Sequence, residues 1–387
     1  MRPLWFVLLA APLAAGCRGI LGIDDPYLID GGSTSCAGWS PKGFDPCALG
    51  TPLGAIDLSA GVFNFDTETG VLYNAIHAQV ASSSITLTQS DGSTVRVLAA
   101  EAFTLEASAT LSVTGHLPLL LVSWSSLQIT GTLDASSHRG DLVGAGGDAT
   151  AESCAGGGQP GAKATTSGSG GGGGGGFQGV GGSGSSGGGA SAAGGGGGVR
   201  AMPAVIRGGC PGGASGDQSA STTTHALAGR AGGAVRLVAK TEIVVDGAVL
   251  ANGEGGAGAP TNSACGGGGG GSGGYIGLDA PTVTIHGRLA ANGGGGGGGG
   301  PTSGSGNSGS DGAAGDLAAA GGAVATGGCG QAGGQGSFQG AFDGTSATGT
   351  DACGGGGGGG AAGFILVASP GYTATAQAKI SPPASQN

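Results

Sequence analysis

Charge is scarce in this chain. Only 9% of its 387 residues are Asp, Glu, Lys or Arg, with 13 basic residues against 23 acidic ones. Charge-driven disorder needs high charge and low hydrophobicity, and a mean hydropathy of +0.18 fits neither. The small basic count argues against nucleic acid and anionic lipid as partners, since both are bound through Lys and Arg. Long apolar runs are also missing. After Leu13 no stretch approaches the roughly 20 apolar residues of a transmembrane helix. No CxxC is present, and His77, His116, His138, His225 and His286 are scattered without metal spacing, so a zinc site fits poorly. No lysine follows a glycine run as in a phosphate-binding loop. The expectation is no metal, no cofactor and no catalytic residue.

Glycine is what the chain has. With 98 glycines and 16 prolines, about 29% of the residues are structure breakers, a level at which disorder is the default. The glycines are not spread evenly, however. Runs occupy 171–176, 194–198, 266–271, 293–300 and 354–360, and the apolar residues concentrate between them. The runs have two readings. One is flexible solvated loops, because glycine loses the most entropy on ordering. The other is a packed polyglycine-II form, in which side-chain-free three-residue turns lie side by side and hydrogen-bond between chains.

The apolar segments repeat. Tyr275–Ala280 and Thr282–Gly293 copy Ala234–Ala239 and Glu242–Gly253, with apolar residues at every second position. That is the strand period. Gly247 and Gly287 fall in phase with the inward residues, which points to a bend or a close backbone approach. Asn252-Gly253 and Asn292-Gly293 read as positive-φ turns. Upstream, Val95–Ala99 aligns with Leu119–Ser123 and Phe103 with Leu127, an offset of 24 residues. Later copies begin near Val235, Ile276 and Ile365, at gaps of 116, 41 and 89 residues. Each gap exceeds one bare coil, and each excess falls after the last strand of a coil. Stacked coils with insertions at one corner predict an all-β solenoid. The pattern resembles right-handed parallel β-helices of the pectin-lyase kind over roughly residues 71–367. The expected organisation is a leader at 1–17, a tether at 18–52, a cap and first coil at 53–94, and a β-helix at 95–368. Its glycine-rich insertions are 136–233, 252–274 and 292–363. A polar tail, frayed or part of a cap, fills 369–387.

The leader has a short positive start at Arg2 and an apolar stretch, Leu4 to Leu13, too short to span a bilayer. Its end, Leu13-Ala-Ala-Gly-Cys17, resembles a bacterial lipobox, which implies acylation of Cys17 and a membrane anchor. Arg18 follows in place of the Asp that retains such lipoproteins at the inner membrane, which favours the outer membrane. Cleavage after Gly16 without acylation would instead give a secreted chain. Ile20-Leu-Gly-Ile-Asp-Asp-Pro26, Phe63-Asn-Phe-Asp-Thr67 and Gly115-His-Leu-Pro-Leu119 resemble glycine-rich surface lipoproteins of myxobacteria and their relatives. The resemblance implies an address and an architecture, with no activity attached. Loss of Arg2 with the leader leaves 12 basic and 23 acidic residues, a net charge of −11.

Seven cysteines follow Cys17: Cys36, Cys47, Cys154, Cys210, Cys265, Cys329 and Cys353. An exported chain favours disulfides. Cys36–Cys47 is a local pair. Cys154–Cys210 and Cys329–Cys353 fit within single insertions, while Cys265–Cys353 would join two; spacing does not choose between them. Odd parity leaves one thiol over.

Motifs of catalysis are weak here. Gly184–Gly188 and Gly270–Gly274 match GxSxG without the strand-to-helix context. Gly212–Asp217 and Gly306–Asp311 match a calcium motif but are isolated. The outward positions Gln128, Thr130, Arg236, Asp246, Gly277, Asp279, Thr284, His286 and Arg288 read as a solvated sheet face. Within it Asp246, His286 and Arg288 are the one candidate polar patch. The expected role is therefore non-catalytic: a structural or adhesive lipoprotein at the cell surface. Expected partners are the membrane, through the anchor, and extracellular matrix, glycan or other cells. A polysaccharide-acting enzyme on the β-helix face, and an ice- or surface-binding protein using a polyglycine face, are the alternatives.

Overall fold

The structure, a computed structural model, describes residues 36, 38–50, 52–140, 143–148, 154–164, 167–218, 224–324, 328–349 and 353–386. Cys17, the leader and most of the expected tether lie outside these. The described chain is all-β with mainly parallel ladders. It opens with β1 (Ile56–Asp66), β2 (Val71–Asn74), β3 (Gln79–Val80) and β4 (Ser83–Thr88), of which β2 to β4 pair antiparallel. Then come β5 (Thr94–Ala100) and a long β6 (Phe103–Thr114), which pairs parallel with β1.

From there the chain repeats one sequence of three strands. The first set is β7 (Leu119–Ser123), β8 (Ser126–Ile129) and β9 (Thr132–Asp134). The second is β10 (Ala234–Ala239), β11 (Glu242–Val245) and β12 (Ala248–Leu250). The third is β13 (Tyr275–Asp279), β14 (Thr282–Ile285) and β15 (Arg288–Ala290). The fourth is β16 (Phe364–Ala368), β17 (Gly371–Ala374) and β18 (Lys379–Ser381), followed by β19 (Ser385–Gln386). Each strand pairs parallel with its counterpart in the next set. Leu119 faces Val235, Val235 faces Ile276 and Ile276 faces Ile365, the partners expected from the sequence. The stretch expected as a polar tail thus continues the ladders, because Tyr372, Ile380 and Ala384 keep packing on the core.

One core runs through both sheets. Leu121, Leu237 and Leu278 from the seven-stranded sheet meet Leu127, Ile243 and Val283 from the twelve-stranded one. Leucine, isoleucine and valine dominate, as expected for parallel strands covered on both faces. The corner glycines stack as well. A Cβ on Gly287 would collide with the Gly247 carbonyl, and one on Gly247 with the Gly131 carbonyl. The close approach lets one carbonyl take two donors: Ile129 O accepts from Asp246 and Gly247, each at 2.9 Å.

Two local expectations are corrected. Strand β5 pairs with β7 one residue out of the expected register, Arg96 with Leu119 and Leu98 with Leu121. The corner after β7 holds one more residue than the corner after β5, so the offset is 23 there and 24 at Phe103–Leu127. A one-residue slip exchanges the two faces, which puts Leu98 in the main core and Val95 and Val97 on the other side. The Asn-Gly pairs are not positive-φ turns. Asn252 and Asn292 are buried, at 2% and 0% exposure, in a polar ladder between successive sets. The Asn252 N–H donates to Ser136 Oγ at 2.9 Å, and the Asn292 N–H to Asn252 Oδ1 at 2.9 Å. Ser381 closes the ladder by donating to Asn292 Oδ1 at 2.7 Å. Here the side-chain amide, and not a left-handed backbone, is what the position uses.

The three long connections, after β9, β12 and β15, fall where the gaps place them. Four of their glycine runs, 171–176, 266–271, 293–300 and 354–360, are buried throughout, while 194–198 is partly exposed. Every backbone N–H of 169–177, 266–274, 293–300 and 354–363 donates a hydrogen bond. The partner changes with a period of three. Gly171 and Gly174 donate to Ser185 and Gly182, Gly172 and Gly175 to Gly267 and Gly270, and Gly173 and Gly176 to Gln159 and Gly156. Around 169–177 the hydrogen-bonded neighbours are the segments near 156–162, 182–185, 194–200, 213–216, 264–270 and 355–361, six directions in all. Segments 266–274, 293–300 and 354–363 are surrounded in the same way. The arrangement is a hexagonal array of extended chains.

Glycine is required here by contact rather than by dihedral angle, since none of the runs takes a positive φ. A Cβ on Gly173 would fall inside the Gly195 carbonyl oxygen, and one on Gly269 inside that of Gly173. Gly198, on the rim, has nothing within 4 Å of its Cβ direction. Gly173→Ala is therefore expected to cost about 1–3 kcal/mol, as overpacking does. Gly198→Ala should be neutral or stabilising by up to about 1 kcal/mol. Urea unfolding of the two variants measures the difference; equal stabilities would contradict the packed arrangement.

Candidate binding site on the outer sheet face

The outward face of the seven-stranded sheet is covered, not solvated. Segment 38–49 and the loop 199–207 close over it. Trp39 meets Trp124 edge-on at 5.4 Å between ring centres, and Phe177 meets Phe364 at 4.9 Å. Gln89 clamps the loop from two sides: its Nε2 donates to Ile206 O at 2.9 Å, and its Oε1 accepts from the Ile206 N–H at 2.8 Å. The sequence shows no sign of this cover, because the covering residues are far from the strands in the chain and have no strand period.

At the centre of the face Gly277 leaves a gap in a column of larger residues, Leu120, Arg236 and Leu366. A Cβ there would press on the Tyr275 ring and the Arg236 stem. Arg236 uses the space to reach across β13, donating from Nη2 to Asp279 Oδ2 at 2.6 Å. The Lys42 backbone N–H donates to the same oxygen at 3.0 Å, tying the covering segment to the ion pair. Both partners are about 15% exposed, so losing either one would strand the other charge away from water. Burial pushes the Tyr275 hydroxyl above its ordinary value, with Arg236 opposing. The partly open space between sheet and cover is about 330 Å³, lined by Phe44, Leu87 and Ile206 as well as by Gln89, Arg236 and Asp279. Among the described residues that line it, no nucleophile lies next to a base.

The patch expected at Asp246, His286 and Arg288 forms only in part. His286 Nδ1 lies 2.6 Å from Asp246 Oδ1, nearly half exposed, while Arg288 acts on Asp316. Three cysteine pairs are joined: Cys36–Cys47, Cys154–Cys210 and Cys329–Cys353. Cys265 is the free thiol among the described cysteines, buried and donating to Thr224 O at 3.1 Å. The Cys265–Cys353 alternative is thereby set aside. Among the described residues no cluster of His, Cys, Asp or Glu could hold a metal ion, and no helix is long and apolar enough to cross a membrane.

A second polar cluster joins the three insertions where they leave the sheets, and sequence reading missed it entirely. His138 sits between Asp134 and Asp311, at 3.1 Å from each carboxylate. Arg230 Nε donates to Glu254 Oε2 at 2.6 Å, Arg139 approaches the same carboxylate, and Arg230 also donates to the His138 carbonyl. His138, Arg139 and Arg230 belong to the first insertion, Glu254 to the second and Asp311 to the third. Three positive and three negative groups balance. The two carboxylate bonds push His138 up to about 10. Burial works against the Asp134 and Asp311 carboxylates, but their bonds to His138 and to backbone N–H groups hold both below the ordinary value.

A raised histidine contributes fully below its unfolded value and loses that contribution as pH rises through its folded one. Lowered carboxylates lose theirs as pH falls. The cluster is thus complete from about pH 4 to about 6.5 and weakens toward pH 10. The melting temperature should fall across the alkaline part of that range. His138→Asn should be less stable at pH 6 and show a flatter alkaline limb. Identical pH profiles for the two proteins would contradict this assignment.

No family model, no curated protein and no solved structure matches the chain.

Proposed function

We propose that the protein is a non-catalytic cell-surface lipoprotein, anchored through acylated Cys17 in an outer membrane, whose role is structural or adhesive. In this reading the four sets of three strands are successive turns of a right-handed parallel β-helix, and the hexagonal array is polyglycine-II. The single observation that supports the role best is the array itself. It fills the insertions with backbone hydrogen bonds and leaves short, mostly uncharged side chains exposed on its outer segments. Such a surface suits weak multivalent contact rather than tight binding of one small molecule. The anchor and the address rest on the lipobox-like Leu13–Cys17 and on the resemblance to myxobacterial surface lipoproteins.

A specific observation favours a second reading, ice or surface binding. Ala320 and Ala323, Ala332 and Gln335, and Thr345 and Thr348 are exposed at a three-residue repeat on adjacent segments. Thermal hysteresis would select this reading.

Full-length protein made in a diderm host should carry a diacyl or triacyl mass at Cys17. Cells displaying it should adhere to polysaccharide-coated surfaces without releasing soluble sugars. An unacylated mass would overturn the anchor, absent adhesion the adhesive role, and released sugar the non-catalytic reading.

A further inference from the structure

The loop 199–207 closes the sheet-face cavity with one side and forms a second groove with the other, of about 560 Å³. Residues 202–205 line both spaces. The second groove is basic in a chain with little base. Arg200 and Arg207 line it together, and among the described residues neither makes a direct ion pair. Arg139 and Arg230 pair with Glu254 and Arg236 with Asp279, while Arg96 donates to the Thr67 and Glu68 carbonyls.

Arg207 is half-buried, and its Nε is a buried donor without an acceptor. Among the described residues its Nη2 donates to the Cys154 sulfur alone, at 3.5 Å, a weak acceptor. Burial and the neighbouring Arg200 charge both press on the Arg207 guanidinium. Leaving a buried donor unsatisfied costs about 1–3 kcal/mol, which an acceptor brought against the guanidinium would relieve. Asp91 is the carboxylate on the groove, and its Oδ1 already accepts from the Ser93 N–H at 2.9 Å and the Ser93 hydroxyl at 2.6 Å. Among the described residues the groove therefore carries two guanidinium groups against one carboxylate.

We propose that this groove binds an oxyanion substituent, carboxylate or sulfate, of an acidic polysaccharide. Each guanidinium presents a fork of N–H donors that can take two oxygens of a planar carboxylate or of a tetrahedral sulfate. The groove is larger than one oxyanion needs. Its Met202, Pro203 and exposed Val199 offer apolar surface for the faces of a sugar ring. The proposal rests on the adhesive reading and names its partner class. The chain's overall negative charge confines anion binding to such a local site.

The test uses full-length protein in detergent against dextran sulfate, carboxymethyl dextran and uncharged dextran, with sodium sulfate as competitor. Wild type should bind both charged polymers and not dextran. Arg200→Gln and Arg207→Gln should each weaken binding about tenfold. Arg200 is not enclosed in the core, so Arg200→Gln should melt like wild type even if Arg207→Gln is destabilised. Sodium sulfate should compete only at concentrations well above that of the polymer's sulfate groups. Equal binding to dextran, no effect of Arg200→Gln, or competition by free sulfate at matched concentration would each overturn the assignment. Cells that adhere to polysaccharide surfaces while the protein shows no preference for charged dextrans would leave the adhesive role standing and the groove assignment refuted. Loss of both would remove the two together.

Discussion

Peptide groups taken out of water need hydrogen-bond partners, and in the insertions there is almost nothing else to satisfy. A glycine segment has no side chain to bury. It gains stability by bringing its N–H and C=O groups against other segments, and it can do so only if no Cβ intervenes. The period of three then places successive donors toward different neighbours, as at Gly171, Gly172 and Gly173. Where a donor lacks a backbone acceptor, a serine supplies it. The Gly266 N–H donates to Ser169 Oγ, Gly356 to Ser185 Oγ and Gly293 to Ser337 Oγ, all at 2.8–2.9 Å. The serines of the array are thus substitutes for missing carbonyls.

Such an array is weak on its own. Ordering one residue's backbone costs about 1–2 kcal/mol, and a net hydrogen bond returns about 0.5–1.5 kcal/mol. The difference has to come from elsewhere. The stacked strands hold one end of the array at fixed spacing, because 251, 274, 291 and 363 each adjoin a strand. Cys154–Cys210 closes the first insertion and Cys329–Cys353 the third. The His138–Asp134–Asp311 and Arg230–Glu254 contacts link all three at that same end. Sheets and array are therefore one cooperative object, the apolar core setting the positions at which the glycine segments meet.

The strand half was readable because side chains mark it. Alternation at Val235, Leu237 and Val283, Ile285 fixed faces, and the gaps of 116 and 41 residues placed the partners of Leu119 and Val235 correctly. Gly247 and Gly287 were legible as close approaches for the same reason. The misses have physical causes. A single extra residue at the corner after β7 shifted the β5 register, and corner lengths leave no periodic trace. Asn252 and Asn292 looked like turn residues because the same amide serves a left-handed turn and a buried ladder. Arg236 and Asp279 were placed outward correctly but read as solvated, since the cover comes from residues near 42 and 206. Arg200, Arg207 and His138 gave no signal, because their neighbours are assembled by the glycine array. Homopolymeric glycine has no register to read, so packed and flexible forms looked alike.

The central claim is that the glycine segments are held by backbone hydrogen bonds inside a closed array. Amide hydrogen exchange, read by mass spectrometry on native protein, tests it most directly. The account predicts that 171–176, 266–271, 293–300 and 354–360 exchange slowly, with protection comparable to that of β10 and β13. The rim near Gly198 should exchange faster. Uniformly fast exchange across all the glycine runs, beside protected strands, would contradict the array and leave a stack of strands carrying solvated loops.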